Sequence, residues 1–386
     1  MDKRVLMVAT VPSMIGQFNM NNIRILQEMG YIVDVAGNFT DTSVWPAERV
    51  HKFEKQLKDM GIEAIQLDFS RNPLKIGRHI ASYREIIKLL KERNYTFIHT
   101  HTPVASAIVR QAAQKTGTRV IYTAHGFHFY DGAPLKNWFV FYPIEKHFSR
   151  YTDVLITINK EDYARARKKF CAKKVVYIPG VGVDIEKFAS RQSGREKIRR
   201  ELDLRDDRLL LLSVGELNEN KNHISVIKAL VGLENITYVI VGKGEKKEEL
   251  KQMATNSSVD LRLLGFRTDV TDIYNAADVY ILPSIREGLN VSLMEAMASS
   301  LPCLCGNIRG NIDLVDDSGG YLFNPSSVEE IKKAILKMIN LTDEKRQKQG
   351  LHNLKKIRDF DISTVGTLIS EIYVWVDNSN TQSELI

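Results

Sequence analysis

Cysteine is scarce in this sequence, and no long apolar run is present. The three cysteines, Cys171, Cys303 and Cys305, are too few for a disulfide framework and favour a reducing compartment. No apolar run approaches the roughly 18 residues that span a bilayer. The apolar stretch at 5–9 is too short for a secretory leader. We therefore expect a cytoplasmic globular protein, and a length of 386 residues predicts two domains.

Acidic residues are too few in the first half of the chain to balance the basic ones. Residues 1–180 hold 27 Lys and Arg against 16 Asp and Glu, a balance of +11, whereas residues 181–386 hold 27 against 31, a balance of −4. Such a basic half suits an anionic lipid surface or a phosphorylated acceptor, and a solvated surface without a partner fits equally well. Nucleic acid is not an expected partner, because the basic residues come without a recognisable binding motif.

Two segments of the first half combine apolar and basic residues. One is the aromatic run 138–144, which is flanked by Lys136, Lys146 and Arg150, and the other is 74–79. Aromatic and cationic side chains together are typical of a membrane interface, although core packing would explain the aromatic residues as well. With the charge balance, they predict a protein that associates peripherally with the inner face of a membrane.

Short β-branched runs alternate with longer amphipathic stretches. The runs predict strands at 4–10, 32–37, 64–69, 97–101, 119–124, 154–158, 175–178, 209–214, 237–241, 261–264, 279–282 and 302–305. The amphipathic stretches predict helices that include 77–93, 160–170, 222–231, 245–255 and 328–340. Runs such as 209–212 are apolar on both faces, as parallel strands covered by helices require. The alternation predicts a doubly wound α/β architecture.

The strand–helix pattern starts twice, on either side of a polar segment at 184–208 whose most linker-like part is 191–195. This predicts two Rossmann-like domains, over 1–180 and 181–360. The amphipathic C-terminal segment is placed to cross back to the first domain, which would then include about 360–386. Ligands of open α/β sheets bind at the carboxyl ends of the strands, so we expect a cleft between the two sheets.

The segment 281–298 carries the clearest chemical pattern. A strand ends near Pro283, and a helix begins near Asn290, which is a good N-cap residue. A helix N-terminus can hold a diphosphate without a metal, and Gly288 allows its close approach. Two carboxylates frame the loop: Glu295 suits ribose hydroxyls, and Glu287 suits those of a transferred sugar. A capping loop with two solvated carboxylates is the alternative.

The spacing of Glu287 and Glu295, in the context Pro-Ser-x-x-Glu-Gly-Leu-x-x-x-x-x-Glu-Ala-Met-Ala, resembles the Glu-x7-Glu motif of the retaining family 4 glycosyltransferases. More narrowly, the chain resembles their capsular and exopolysaccharide branch. The resemblance covers about 1–376 and is densest at 209–323. It implies a GT-B fold of two facing Rossmann-like domains, an N-terminal one for the acceptor and a C-terminal one for a nucleotide-sugar donor. It also implies retention at the anomeric carbon and no metal.

The resemblance extends to the donor site. Lys221, which follows a turn at Gly215, would contact the diphosphate. Glu216 stands where the family usually has Arg. Arg286 or Arg309 would have to supply the missing guanidinium. The base would lie against the residues after the strand 261–264. A glycine-rich loop after the first strand would approach the phosphate. The predicted donor set is Gly16, Gly215, Glu216, Lys221, Asn222, Gly265, Phe266, Arg267, Arg286, Glu287, Gly288, Leu289, Asn290 and Glu295.

The catalytic residues that the resemblance implies are His125, Lys221 and Glu287. A protonated or hydrogen-bond-donating imidazole at His125 would assist departure of the phosphate. The predicted acceptor side consists of His101, Phe127, His128, Arg309 and Asn311. A metal bound by His99, His101 and His125 is an alternative that we reject, because no carboxylate falls at a suitable spacing. No cofactor is therefore expected.

The resemblance therefore implies a retaining, metal-independent hexosyl- or N-acetylhexosaminyltransferase. The donor would be a UDP-sugar, and the acceptor a saccharide linked to undecaprenyl diphosphate in capsule or exopolysaccharide synthesis. One alternative is a non-hydrolysing UDP-sugar epimerase, which shares the fold and the donor. Another is a non-catalytic partner subunit that binds a nucleotide sugar, for which the unusual Glu216 leaves room.

Overall fold

The structure is a computed structural model that describes residues 3–189, 192–205 and 207–378. These residues form two compact units, one over 3–181 together with 363–378 and the other over 182–362. Each unit is built around one parallel sheet, so the predicted pair of doubly wound α/β units is confirmed.

The first unit contains a sheet in the order β3-β2-β1-β4-β5-β6-β7. Its strands are β1 (Arg4–Val8), β2 (Ile32–Gly37), β3 (Glu63–Gln66), β4 (Phe97–Thr100), β5 (Arg119–Ala124), β6 (Val154–Thr157) and β7 (Lys174–Tyr177). Its helices are α1 (Pro12–Phe18), α2 (Met20–Glu28), α3 (Ala47–Asp59), α4 (Ile76–Arg93), α5 (Pro103–Thr116), α6 (Leu135–Phe148), α7 (Lys160–Lys169) and, after the second unit, α17 (Ile362–Asn378).

The second unit contains a sheet in the order β10-β9-β8-β11-β12-β13. Its strands are β8 (Leu209–Val214), β9 (Ile236–Val241), β10 (Leu261–Gly265), β11 (Val279–Leu282), β12 (Cys303–Gly306) and β13 (Gly320–Phe323). Its helices are α8 (Ile185–Phe188), α9 (Gln192–Glu201), α10 (His223–Leu230), α11 (Lys247–Asn256), α12 (Val270–Ala276), α13 (Val291–Ala298), α14 (Asn311–Leu314), α15 (Val328–Ile339) and α16 (Asp343–Ile357).

The central strands of both sheets, such as β1 and β8, are buried because they are apolar on both faces. In β8, Leu210, Leu211 and Leu212 are each at most 1% exposed, as the apolar run at this position predicts. The C-terminal helix α17 returns to the first unit, where Ile369 and Tyr373 join the core on one face of its sheet. That return confirms the predicted crossing back of the C-terminal segment.

The predicted linker is wrong for the part of it that the structure describes. Residues 192–195 begin α9, whose Arg195 donates to the Asp278 carboxylate at 2.6 Å, while the buried Arg199 donates to it at 3.2 Å. Arg191 lies outside the described residues. The helix is therefore part of the second unit, held to the start of β11 by two guanidinium groups.

Candidate functional site

Strand β11 delivers the predicted Glu-x7-Glu segment to the carboxyl edge of the second sheet. The chain leaves β11 after Leu282, and α13 begins at Val291 with Asn290 as its N-cap, as the sequence predicts. The Asn290 Oδ1 accepts a hydrogen bond from the Leu293 amide at 3.0 Å and another from the Ser292 hydroxyl at 2.6 Å. The cap fixes the direction in which α13 presents its first turn.

A second loop, after β8, is joined to the loop that follows β11. The Ile285 amide donates to the Asn220 carbonyl, and the Asn220 side-chain amide donates to the Arg286 carbonyl, both at 2.9 Å. Beside them, the Lys221 ammonium lies 2.7 Å from the Glu287 carboxylate, with side chains that are 16% and 13% exposed. The structure thus brings together Lys221 and Glu287, which the sequence assigns to the site separately.

The turn after β8 holds the alkyl chain of Lys221 across Gly215. A Cβ atom at Gly215 would lie 3.3 Å from Lys221 Cε, so a larger residue there would press on that side chain. Asn218 organises the turn, since its amide nitrogen donates to the Glu216 carboxylate at 2.8 Å and its Oδ1 accepts from the Lys221 amide at 3.0 Å.

Asn222 has φ +54° and donates to the Pro283 and Pro325 carbonyls, so its side chain joins neighbouring loops.

Arg309 and Gly310 contact the backbone of the loop that carries Glu287. The buried Arg309 guanidinium donates twice to the Glu287 carbonyl, from Nε and Nη2, at 3.3 Å each. Gly310 has φ +82°, and a Cβ atom there would lie 2.1 Å from the Gly288 carbonyl oxygen. Asn311 is buried and donates to the Gly306 carbonyl at 3.1 Å. The close approach at Gly310 was not predicted, because it depends on a contact across two loops.

Gly310→Ala is therefore expected to shift the Glu287 loop and to weaken binding of the UDP-sugar that the sequence resemblance implies. The left-handed backbone and the close contact together predict a loss of about 1–3 kcal/mol in the free energy of unfolding. Urea unfolding and titration with a UDP-sugar would measure both effects. Gly77→Ala is the matched control, since Gly77 lies in α4 with no atom within 4 Å of an added Cβ. Unchanged donor affinity in Gly310→Ala would contradict the supporting role.

Glu295 lies on the second turn of α13 and contacts a tyrosine that the sequence did not single out. The Tyr274 hydroxyl donates to Glu295 Oε2 at 2.8 Å and also lies 3.0 Å from the Ser292 carbonyl. Desolvation raises the pKa of Glu295 to about 7, and the hydrogen bond from Tyr274 opposes that rise only in part. The carboxyl group is therefore balanced between its two protonation states near neutral pH.

The residues predicted to hold the base follow β10. Gly265 has φ +68° and ends the strand, and Phe266 is 59% exposed. Arg267 is engaged within its own unit, because its guanidinium pairs with Glu201 at 2.5 Å and with Asp269 at 2.7 Å. A planar base at the end of β10 would therefore meet the apolar Phe266 ring rather than an available guanidinium.

The glycine-rich loop predicted after the first strand is instead the helix α1. Gly16 lies within it, and a Cβ atom there would lie 2.4 Å from the indole ring of Trp45. The glycine is required by this packing, which explains why a helix tolerates it. The prediction of a loop at this position is wrong, and Gly16 as a donor contact stays a prediction.

The predicted residues of the first unit lie after β4 and β5. His101 Nδ1 and His125 Nε2 are 3.4 Å apart, which brings together two of the predicted residues. Phe127 is buried and stacks on Phe129, and His128 stacks on Phe141 of α6 with ring centroids 4.5 Å apart. Aromatic packing thus accounts for the positions of residues 127 and 128.

All three neighbouring histidines are held neutral. Burial lowers the pKa of His99 to about 3 and that of His125 to about 4, and it places the pKa of His101 well below its ordinary value. A protonated imidazole at His125 is therefore disfavoured at neutral pH. Within the described residues, no group of three His, Cys, Asp or Glu side chains is arranged to hold a metal ion.

Family models match most of the chain. Residues 17–187 match the model described as Glycosyltransferase Family 4, and residues 194–353 match the one described as Glycosyl transferases group 1. The chain is 33% identical over 334 residues to the putative glycosyltransferase EpsD of Bacillus subtilis (strain 168), which covers 83% of this chain and 84% of the relative. It is 32% identical over 290 residues to the UDP-Gal:alpha-D-GlcNAc-diphosphoundecaprenol alpha-1,3-galactosyltransferase of Escherichia coli, covering 70% and 73% of the two chains.

Solved structures share the fold. Alr3699/HepE of Anabaena, in complex with UDP and glucose, superposes with a TM-score of 0.77 at 19% identity, covering 96% of this chain and 99% of the other. Sucrose-phosphate synthase of Thermosynechococcus elongatus superposes with a TM-score of 0.79 at 15% identity, covering 98% and 100%. From the family models, the sequence identity to EpsD and the shared architecture, we conclude that the chain belongs to the family 4 glycosyltransferases and has their GT-B fold.

Proposed function

We propose that this glycosyltransferase moves a sugar from a UDP-sugar to a saccharide linked to undecaprenyl diphosphate, in capsule or exopolysaccharide synthesis. The observation that carries the proposal is the Lys221–Glu287 pair, on two joined loops beside the capped start of α13. The E. coli relative is named for a UDP-galactose donor and a diphosphoundecaprenol acceptor, and Alr3699/HepE was solved with UDP. The reported relatives are glycosyltransferases, which favours this function over an epimerase or a silent subunit.

The second unit, over 182–362, would bind the donor. The amides in the first turn of α13 and the Lys221 ammonium would hold the diphosphate, because both present positive charge to it. Lys221 has three N–H donors, so it can bind a phosphate oxygen while keeping its contact with Glu287. Glu287 would accept hydrogen bonds from the transferred sugar, Glu295 would accept them from the ribose, and the Phe266 ring would lie against the uracil.

The acceptor would bind to the first unit, and the transfer would retain the anomeric configuration. We infer front-face substitution, in which the acceptor hydroxyl attacks from the side on which the diphosphate leaves, and the departing phosphate takes up the hydroxyl proton. No metal is required by this scheme, since Lys221 and the start of α13 supply the positive charge at the diphosphate.

An assay with UDP-sugars and an undecaprenyl-diphosphate saccharide tests the proposed function. We expect UDP release that requires the acceptor, full activity in EDTA, and a product whose anomeric configuration matches that of the donor. Conversion of the nucleotide sugar without any acceptor would indicate an epimerase, and binding without turnover would indicate a silent subunit. An inverted product would contradict front-face substitution.

Arg286 is proposed to supply the positive charge that Glu216 lacks. Glu216 puts a carboxylate where the family usually has a guanidinium, and Glu287 already pairs with Lys221, which leaves the diphosphate short of cations. In the described part of the chain the exposed Arg286 guanidinium makes no hydrogen bond or ion pair, whereas that of Arg309 is buried against the Glu287 carbonyl. Arg286 therefore has the available guanidinium of the two.

Arg286→Ala is expected to raise the donor KM by about tenfold, as for the loss of one charge-assisted hydrogen bond. Adding Glu216→Arg to that variant should restore most of the affinity, because it puts a guanidinium on the same diphosphate. Initial rates at varied UDP-sugar concentration would show both effects. Arg262→Ala, which removes an exposed guanidinium paired with Asp260, is the control. A donor KM in Arg286→Ala equal to that of the parent would refute the assignment.

We propose that the first unit also binds the surface of an anionic membrane. Four apolar side chains of α6 are exposed: Leu135, Phe139, Val140 and Ile144. The start of α4 and the loop before it add Leu74, Ile76 and Ile80, which are 81%, 63% and 46% exposed. The exposed Lys75, Lys136 and Lys146 lie among them, and both helices pack against α5. This combination suits insertion between lipid headgroups, at an inner membrane face that supplies the anionic lipids.

We expect the first unit to insert side chains between the lipid headgroups rather than to span the bilayer. No described helix has the length and apolar character to cross a bilayer. Leu135→Glu with Phe139→Glu should weaken binding to vesicles containing phosphatidylglycerol by about tenfold. Co-sedimentation with such vesicles measures the change. Leu351→Glu is the control, because Leu351 is an exposed apolar residue of α16 in the second unit. Equal binding by the α6 double variant and the parent would rule out this surface.

A further inference from the structure

Two histidines meet at the carboxyl edge of the first sheet because adjacent parallel strands deliver them there. His101 directly follows β4, and His125 directly follows β5, which pairs with β4 in parallel. Their rings are 5.6 Å apart between centroids, and His101 Nδ1 lies 3.4 Å from His125 Nε2. One of these two nitrogen atoms must carry the shared proton, and the surroundings of His101 decide which.

The other nitrogen of His101 faces a thioether. His101 Nε2 lies 2.9 Å from the Sδ atom of Met7, and both side chains are at most 1% exposed. A thioether sulfur accepts hydrogen bonds and cannot donate one. A lone pair on Nε2 would therefore face the sulfur lone pairs without compensation, whereas a proton on Nε2 gives a hydrogen bond. His101 is neutral and carries a single proton, so its Nδ1 is an acceptor.

His125 must then donate through Nε2 to His101 Nδ1. Since burial lowers the pKa of His125 to about 4, its ring carries only that one proton at neutral pH. Its Nδ1 consequently holds a lone pair. No other hydrogen bond of the His125 ring occurs among the residues that the structure describes, and the side chain is partly exposed. The accessible nitrogen of His125 is thus an acceptor.

We propose that His101 is a positioning residue that holds His125 in its Nε2-protonated tautomer, so that His125 Nδ1 accepts a hydrogen bond from a sugar hydroxyl. This role differs from the one that the family resemblance implies, in which His125 donates to the departing phosphate. Before transfer the diphosphate of the donor carries no proton, so its oxygens have nothing to give to a lone pair, whereas a hydroxyl donates readily. The identification of the ligand as a sugar rests on the proposed function, but the tautomer does not.

Nitrogen-15 NMR of the full chain, labelled at histidine, tests the tautomer without any assay of activity. We expect His125 to be protonated at Nε2 and His101 at Nε2. Met7→Leu removes the sulfur while conserving volume, and it should give His125 a mixed tautomer population. Met14→Leu, a methionine packed against the same core, is the control and should leave the spectrum of His125 unchanged. Protonation of His125 at Nδ1 in the parent, or an unchanged His125 in Met7→Leu, would overturn the proposal.

Kinetics identify the hydroxyl. His101→Gln keeps an acceptor oxygen beside His125, and it should retain several-fold more activity than His101→Phe, which we expect to lose about tenfold. A rise in the donor KM of His101→Phe would assign the hydroxyl to the donor sugar, and a rise in the acceptor KM would assign it to the acceptor. Parent-like kcat and KM values in His101→Phe would overturn the positioning role. A parent without transferase activity would refute the proposed function and leave the NMR result standing.

Discussion

Lys221→Ala is expected to lower kcat/KM for the UDP-sugar by about 10²–10³-fold, the effect of removing one preorganised group that stabilises a developing negative charge. The Lys221 ammonium is largely buried and fixed by Glu287 at 2.7 Å, and Asn218 accepts from its backbone amide, so it loses little freedom when the diphosphate binds. Its positive charge would act most strongly as the diphosphate leaves. Steady-state rates at saturating acceptor would measure the loss.

Lys333→Ala is the matched control for Lys221→Ala. It removes another lysine of the second unit that pairs with a glutamate, Glu329 at 2.8 Å, but on the exposed surface of α15. Its kcat/KM should stay within about twofold of the parent, as expected for a surface ion pair. Thermal unfolding of both variants would verify that they are folded, since Lys221→Ala leaves the Glu287 carboxylate without its cation. A Lys221→Ala enzyme as active as the control would contradict a role at the diphosphate.

Glu295→Gln is expected to weaken UDP-sugar binding and to remove its dependence on pH. In the proposed site, ribose hydroxyls would donate to the ionised Glu295 carboxylate, so a donor that binds at pH 6 would first have to displace the proton from it. With a pKa of about 7 in the free protein, the parent should bind about tenfold more tightly at pH 8 than at pH 6. The glutamine variant should show a flat profile and the weaker affinity at pH 8.

Calorimetric titration with UDP-glucose at pH 6 and pH 8 measures this effect, because the diphosphate of that donor has no terminal phosphate that titrates in the range. Glu329→Gln, which neutralises an exposed glutamate paired with Lys333, is the control. If the parent bound UDP-glucose equally at both pH values while Glu295→Gln also bound it normally, the ribose contact would be excluded.

The same group links stability to pH with a defined sign. The pKa of Glu295 is raised on folding from 4.5 to about 7, so the folded state favours the neutral carboxyl group. Its contribution is most favourable below pH 4.5 and declines as pH rises to 7, where ionisation costs up to about 3 kcal/mol. Glu295→Gln should therefore unfold at a higher temperature than the parent at pH 8.

The sequence predicts a strand or a helix correctly where the local pattern of that element determines its structure. Apolar runs such as 209–212 identified buried parallel strands, and Asn290 identified the start of α13. The strand β13 was missed, because two glycines precede its three apolar residues and suggest a turn. A Cβ atom at Gly320 would lie 1.7 Å from the Cys303 carbonyl, so the glycine is required by strand packing that only the folded sheet reveals.

Helices were missed where their sequences contain residues typical of loops. Gly16 lowers the helix propensity of α1, and its reason for being there is the ring of Trp45, nearly thirty residues away in the sequence. Gln192 and Gly194 likewise suggested a linker, although Arg195 and Arg199 of the same helix bind Asp278. In both cases a distant side chain, rather than local preference, fixes the helix.

The sequence predicts which residues belong to the candidate site, but it does not predict which of them contact each other. Glu287 and Lys221 were assigned by motif and position, and their direct pairing depends on two loops that meet in space. The contacts that position them, from Arg309 to the Glu287 carbonyl and from Gly310 to Gly288, leave no periodic signal in the sequence. Tyr274, which donates to Glu295, belongs to a different helix and was missed for the same reason.

A crystal structure of the protein with UDP would test the central claim most directly. We expect the diphosphate at the first turn of α13, a phosphate oxygen within hydrogen-bonding distance of Lys221 Nζ, and the ribose hydroxyls on Glu295. A nucleotide bound elsewhere, with Lys221 and Glu295 remote from it, would contradict the account.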